Sequence, residues 1–111
     1  MRICILLMRT AFSEEDSERL FGLARCEPGT EVAIYLIGDG VLCARKGQKG
    51  YHSDAIEEAL RNGAKMRACL RDLRARGIPT EELVKGIEPV EDLEGMLIED
   101  VMENAGRVFS W

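Results

Sequence analysis

Residues Ala64 to Gly77, AKMRACLRDLRARG, change character at a single position. Lys65-Met66-Arg67-Ala68 is a short alternating run of the kind a strand shows. Leu70 to Arg76 is rich in helix formers, with Leu70 and Leu73 three positions apart. Gly77 supplies a helix stop and Pro79 follows soon after. Cys69 falls at the junction, at the predicted end of a strand and start of a helix. In an open α/β sheet, functional groups collect beyond the carboxyl ends of the strands. A cysteine there meets the positive end of a helix dipole, which favours the thiolate, the reactive form. Arg67, Arg71, Arg74 and Arg76 make the neighbourhood cationic. The stretch therefore predicts Cys69 as a nucleophile or sulfur carrier, with Arg67 and Arg71 as candidate supporting cations.

Outward from this unit, strand and helix patterns alternate. Arg2 to Met8 is a nearly continuous apolar strand, and Glu31 to Ile37, EVAIYLI, is a second one rich in β-branched and aromatic residues. Between them, Ser13 is a candidate N-cap for a helix to about Arg25, with Ser17, Leu20, Phe21 and Ala24 on one face. Gly38-Asp39-Gly40 ends the second strand. Its glycines allow close approach to a ligand, or simply a tight turn capped by Asp39; alone it falls short of a GxGxxG fingerprint. Val41 to Ala44 suits a short helix, and Arg45 to Tyr51, RKGQKGY, suits a mobile basic loop over a site or facing a partner. Ser53 is a candidate N-cap for a helix to about Asn62, preceded by His52 as a surface or capping group. Gly86 to Pro89 forms a small strand after a helical turn at Thr80. A helix runs from Glu91 or Asp92 to about Asn104 with Leu93, Met96, Leu97, Val101 and Ala105 on one side, and Arg107 to Trp111 is the last strand. This pattern predicts one α/β domain over residues 1–111, with a five-stranded, mostly parallel sheet and helices on both faces.

Composition narrows the function. The chain has 111 residues, enough for one real core, and about a third of them are charged. A net charge of −5 argues against nucleic acid as a direct partner. No apolar run reaches the length of a membrane span, so no membrane partner is expected. The apolar start resembles a signal peptide, but it is short and is followed by Ser13-Glu14-Glu15-Asp16 without a small-residue cleavage site, which favours a buried first strand.

Four cysteines, Cys4, Cys26, Cys43 and Cys69, are widely spaced and form no CxxC pair. With His52 as the single histidine, neither a metal site nor a disulfide framework is expected, and a reducing, cytoplasmic setting fits. Cys4 lies within a buried strand and Cys26 in a turn. Cys43 follows a strand end and is the second candidate thiol, although Asp39 nearby disfavours its thiolate.

Met66-Arg67-Ala68-Cys69, the helix Leu70 to Ala75 and the pair Arg76-Gly77 together resemble the DsrE/TusD (DsrE/DsrF-like) family of small sulfur-relay proteins. Val32 to Val41, VAIYLIGDGV, is similar to that family's second strand and turn, and Arg107 to Ser110 to its closing strand. The resemblance implies a cytoplasmic α/β domain that assembles into trimers or hexamers. It also implies that Cys69 accepts sulfur as a persulfide from a donor protein and passes it to an acceptor protein's thiol. That is sulfurtransferase chemistry needing no cofactor. Many relatives carry a second cysteine just after the first; Leu70-Arg71-Asp72-Leu73 offers none. Two alternatives stand beside this reading. One is a non-catalytic subunit of a sulfur-relay complex. The other is a small-ligand-binding module using Gly38, Asp39, Gly40 and the basic loop.

Overall fold

A computed structural model describes residues 1–9, 15, 19, 22, 28–47, 51–104 and 106–110. Five strands, β1 (Arg2–Leu7), β2 (Glu31–Leu36), β3 (Lys65–Cys69), β4 (Ile87–Val90) and β5 (Arg107–Ser110), form one sheet in the order β4-β3-β2-β1-β5. All of its pairings are parallel, so the sheet is wholly rather than mostly parallel. The helices are α1 (Tyr51–Arg61), α2 (Leu70–Ala75) and α3 (Leu93–Glu103), with 3-10 segments at Gly38–Ala44 and Thr80–Glu82. The helix expected from Ser13 to Arg25 lies outside the described residues except at Glu15, Arg19 and Gly22, which are helical.

Strand order determines where the helices go. The chain steps from β1 to β2, β3 and β4 toward one edge, then returns across the whole sheet to place β5 beside β1. Parallel crossovers are right-handed, so the stepping connections lie on one face and the returning one on the other. α1 and α2 therefore share a face, and α3 covers the opposite one. Burial follows position in the sheet. In the central strand β2 every residue from Val32 to Leu36 is buried, whereas the edge strand β5 is largely exposed. Ile56 and Ala59 of α1, Leu73 of α2 and Leu93 of α3 complete the core, with Leu60 and Leu70 packed at its margin.

Local capping differs from the sequence expectation at one place. α1 begins at Tyr51, so Ser53 and His52 lie inside its first turn rather than capping or preceding it. At α3, Asp92 is the N-cap, and its carboxylate accepts from the Gly95 amide at 3.1 Å. The start of the basic loop is tied down rather than free. The Lys46 amide donates to the Glu82 carbonyl at 2.7 Å, and the Val84 amide to that of Ala44 at 2.8 Å. Residues 48–50 of that loop lie outside the described residues.

The inward face of α3 also departs from expectation. Leu93 is buried, Met96 and Leu97 are partly so, and Val101 is half-buried; Ala105 lies outside the described residues. The second fully buried position is Asp100, 5% exposed. Its carboxylate accepts from Arg2 Nε at 2.7 Å, Arg2 Nη2 at 3.0 Å, Cys4 Sγ at 3.4 Å and the Tyr35 hydroxyl. Arg2 and Cys4 are two apart on β1 and share a face of the sheet, and Tyr35 stands beside them on β2. Burial alone would push the Asp100 carboxyl up, but the hydrogen bonds from Arg2, Tyr35 and Cys4 hold it at about 2. Burial first, then Asp100, pushes the Cys4 thiol up to about 11 and the Tyr35 hydroxyl to about 12.

Candidate functional site

β3 ends at Cys69, which is also the N-cap of α2, with extended backbone angles (φ −66°, ψ 114°) and no side-chain capping bond. The register sets Ala68 beside Leu36 of β2 and Cys69 beside Val90 of β4. Residues just past Leu36 therefore lie next to the cysteine at the carboxyl edge of the sheet. Those residues are Ile37 and the Gly38-Asp39-Gly40 turn.

The turn is shaped by packing. Gly38 takes a positive φ of 54°, which disfavours side chains. Gly40 presses on β1, and a Cβ built there would lie 2.0 Å from the Leu7 carbonyl oxygen. The close approach that its glycines permit is thus an approach to the chain's own backbone. Asp39 does not cap the 3-10 segment; it pairs with Arg76, 2.9 Å from Nη2 and 3.2 Å from Nε.

Asp72 joins the turn to the cysteine. It lies in the first turn of α2, three residues after Cys69, which brings the two side chains to one side of the helix start. Its Oδ2 accepts the Gly38 amide at 2.8 Å. The Gly38 amide is the foremost cause that holds the Asp72 carboxyl below its usual range. Burial opposes it, and the Cys69 thiol, Arg71 and Arg76 reinforce it. Arg76 also donates to the Asp72 carbonyl at 3.1 Å.

This cluster changes the electrostatic picture drawn from sequence. The charged side chain that the first turn of α2 brings to the side of Cys69 is a carboxylate, that of Asp72. Arg71 lies within electrostatic range of the thiol, but it pairs with Glu94 at 2.7 Å and stands 3.8 Å from Asp72. Arg67 pairs with Glu88 at 3.4 Å. α2 has six residues, so few peptide dipoles add at its start. Cys69 itself is only 2% exposed.

Cys43 sits in the 3-10 segment beyond the turn, where burial pushes its thiol up to about 11. Burial, rather than Asp39, is the cause. Cys26 lies outside the described residues. Cys4, Cys43 and Cys69 are free thiols. Among the described residues no group of three His, Cys, Asp or Glu side chains is placed to hold a metal ion, and no helix is long and apolar enough to cross a membrane.

Sequence reading passed over Asp72, Asp100, Arg2 and Tyr35, and took Arg76 as one cation of the Cys69 neighbourhood without its partner Asp39. Asp72 carried a local signal, an acid three residues beyond a cysteine at a helix start. Asp100 carried another, an acid spaced three and four residues from Leu97 and Met96 within an apolar stripe.

A wholly parallel five-stranded sheet with a cysteine at the carboxyl end of its third strand defines a small α/β protein. The chain belongs to the DsrE/DsrF-like family, whose model matches residues 1–110. Membership is consistent with a sulfur-relay role in general. The chain is 35% identical over 72 residues to an uncharacterized protein, MK0008, of Methanopyrus kandleri. That match covers 61% of this chain and 60% of the relative's length. Among solved structures it is similar to MTH1491 of Methanobacterium thermoautotrophicum, a protein of unknown function (TM-score 0.81, 19% identity, 97% of each chain). It is also similar to the ychN protein of E. coli (TM-score 0.79, 21% identity, 100% of each chain). At these identities the two structures speak for the fold.

Proposed function

We propose that the protein is a sulfur carrier that accepts sulfur on Cys69 as a persulfide and passes it to a partner protein's thiol. The observation that carries this reading is the placement of Cys69. It is the last residue of β3, at the carboxyl edge of a parallel sheet and three residues before Asp72 of a polar cluster, within a chain of the DsrE/DsrF-like family. In the transfer, the Cys69 thiolate attacks the outer sulfur of the donor's persulfide. The donor's S–S bond breaks, the donor leaves as a thiolate, and Cys69 becomes Cys69–S–SH. An acceptor thiolate then attacks that outer sulfur and regenerates the Cys69 thiolate. Sulfur moves without net oxidation or reduction, so no cofactor enters the balance. The setting is the reducing cytoplasm, and the working form is a homo-oligomer, a trimer or hexamer.

Intact-mass measurement after incubation with a persulfide donor tests this. The wild type gains one sulfur atom and Cys69→Ser gains none. A second reading, a non-catalytic subunit of a sulfur-relay complex, is favoured by the near-complete burial of Cys69. Assembly without any sulfur gain by the wild type selects it.

A further inference from the structure

We infer that the cationic groove between the end of α1 and the turn before β4 is a docking site for an acidic peptide segment, with an apolar anchor, of a partner protein. The groove has a volume of about 570 Å³. Buried Ala64 and half-buried Leu60 and Val84 give it an apolar floor, and exposed Lys46, Arg61 and Lys85 surround that floor. Lys46 belongs to the basic loop that the sequence sets over a site or facing a partner.

Backbone bonds fix both walls. On one side Arg45 bridges Leu83 in antiparallel pairing, the Lys46 amide donates to the Glu82 carbonyl, and the Val84 amide donates to that of Ala44. On the other side α1 is closed by its own chain. The amides of Asn62, Gly63 and Ala64 donate to the carbonyls of Glu58, Leu60 and Ala59. Those bonds occupy carbonyls that would otherwise repel an anion at a helix C-terminus. Gly86 completes the groove with a φ of 104°, and a Cβ there would lie 3.6 Å from both Leu60 methyls. A partner segment therefore meets a formed surface.

Charge selects the occupant. Arg2, Arg67, Arg71, Arg74 and Arg76 each pair with a carboxylate. Among the described residues no carboxylate pairs with Lys46, Arg61 or Lys85, although Glu57 lines the same groove one turn before Arg61. Three cations and one acid leave the groove two charges positive, in a chain whose net charge is −5. A local field of reversed sign attracts an acidic partner. The apolar floor, extended by the aliphatic stems of the lysines and arginine, adds the need for an apolar side chain between the acids. Ala64 immediately precedes β3, and Cys69 ends it. Five residues of strand, roughly 17 Å, separate the two, so a segment docked here leaves the cysteine edge clear. Docking does not depend on sulfur transfer.

Fluorescence anisotropy of a labelled peptide alternating glutamate and leucine tests the groove, with the full chain at low salt. Wild type binds it, and Arg61→Glu and Lys85→Glu each weaken binding about tenfold. Both side chains are exposed, and either variant alone suffices if the other does not fold. The same peptide with glutamine for glutamate binds at least tenfold more weakly. No binding by wild type overturns the inference, as do equal affinity for the glutamine peptide and unchanged affinity in the folded variants. Tighter binding of duplex RNA than of the peptide also overturns it. So does sedimentation in which these two variants disperse a wild-type oligomer, because a second copy then fills the groove. Cys69→Ser binds the peptide as wild type does, whether or not wild type gains sulfur, so failure of the sulfur-carrier reading remains distinguishable.

Discussion

Arg2 and Asp100, 98 positions apart in the chain, meet in a two-pronged ion pair, Nε to Oδ1 at 2.7 Å and Nη2 to Oδ2 at 3.0 Å. The pair fastens the first strand to the last helix, and Tyr35 and Cys4 fill the remaining acceptor sites of the carboxylate. Arg2, Cys4 and Tyr35 all donate to Asp100, and Arg2 also pairs with Glu31 at 2.9 Å.

Stability should therefore fall on the acid side in a defined window. The Asp100 carboxyl is held at about 2 against an ordinary 3.8, so its contribution is complete above about pH 4 and is lost as pH falls toward 2. That difference corresponds to about 2 kcal/mol. Urea unfolding at a series of pH values should show this acid limb in wild type. Asp100→Asn should lack it and should cost roughly 3 kcal/mol at neutral pH, because Arg2 and Tyr35 lose their charged partner. An unchanged acid limb in the variant would assign the pH dependence to other carboxylates.

Limited alkylation of the folded protein at mildly acidic pH should label Cys69 ahead of Cys43 and Cys4. Burial pushes both of the latter thiols to about 11. Cys43 should come second and Cys4 last, inside β1. Peptide mapping after partial reaction gives the order. Faster labelling of Cys43 than of Cys69 removes the chemical basis of the sulfur-carrier reading.

Gly40→Ala should destabilise the protein by about 2 kcal/mol or more, since its Cβ meets the Leu7 carbonyl at 2.0 Å and backbone must move to admit it. The shift should appear as a lower urea midpoint. Equal stability would mean that the turn relaxes without cost.

Ile98 and Met102, one turn apart on α3, are 59% and 80% exposed, and Val108 on the edge strand β5 is 48% exposed. Such side chains suit a subunit contact. Sedimentation at micromolar concentration should show an oligomer for wild type, dispersed by the double substitution of Ile98→Glu with Met102→Glu. A monomeric wild type would remove the proposed assembly.

The fold was legible because its signals are local. In AKMRACLRDLRARG the switch from period two to helical spacing marks the β3–α2 junction within one residue. The runs RICILL and EVAIYL have the continuous apolar character of strands buried on both sides. The electrostatics were not legible, because charge partners are set by topology. Arg67 and Arg71 look like free cations beside Cys69 until β4 and α3 bring Glu88 and Glu94 to them. Asp100 stands in an apolar stripe with no partner in view until β1 delivers Arg2 beneath it. Ser53 misled for a different reason: a residue with a capping preference also occurs inside a first helical turn, and α1 starts at Tyr51.

The placement of β5 beside β1 bears on how the chain folds as it is made. A ribosome delivers β1 first, and β2 soon offers it one neighbour. The other side of β1 waits for Arg107–Ser110, which follows the other four strands. Until β5 emerges, one side of a strongly apolar strand keeps its backbone amides and carbonyls unpaired, a template for another chain. Arg2 likewise has Glu31 within reach early, while Asp100 arrives only later. A nascent chain stalled before β5 would carry this open edge, and a chaperone that binds extended apolar segments would find its target in RICILL.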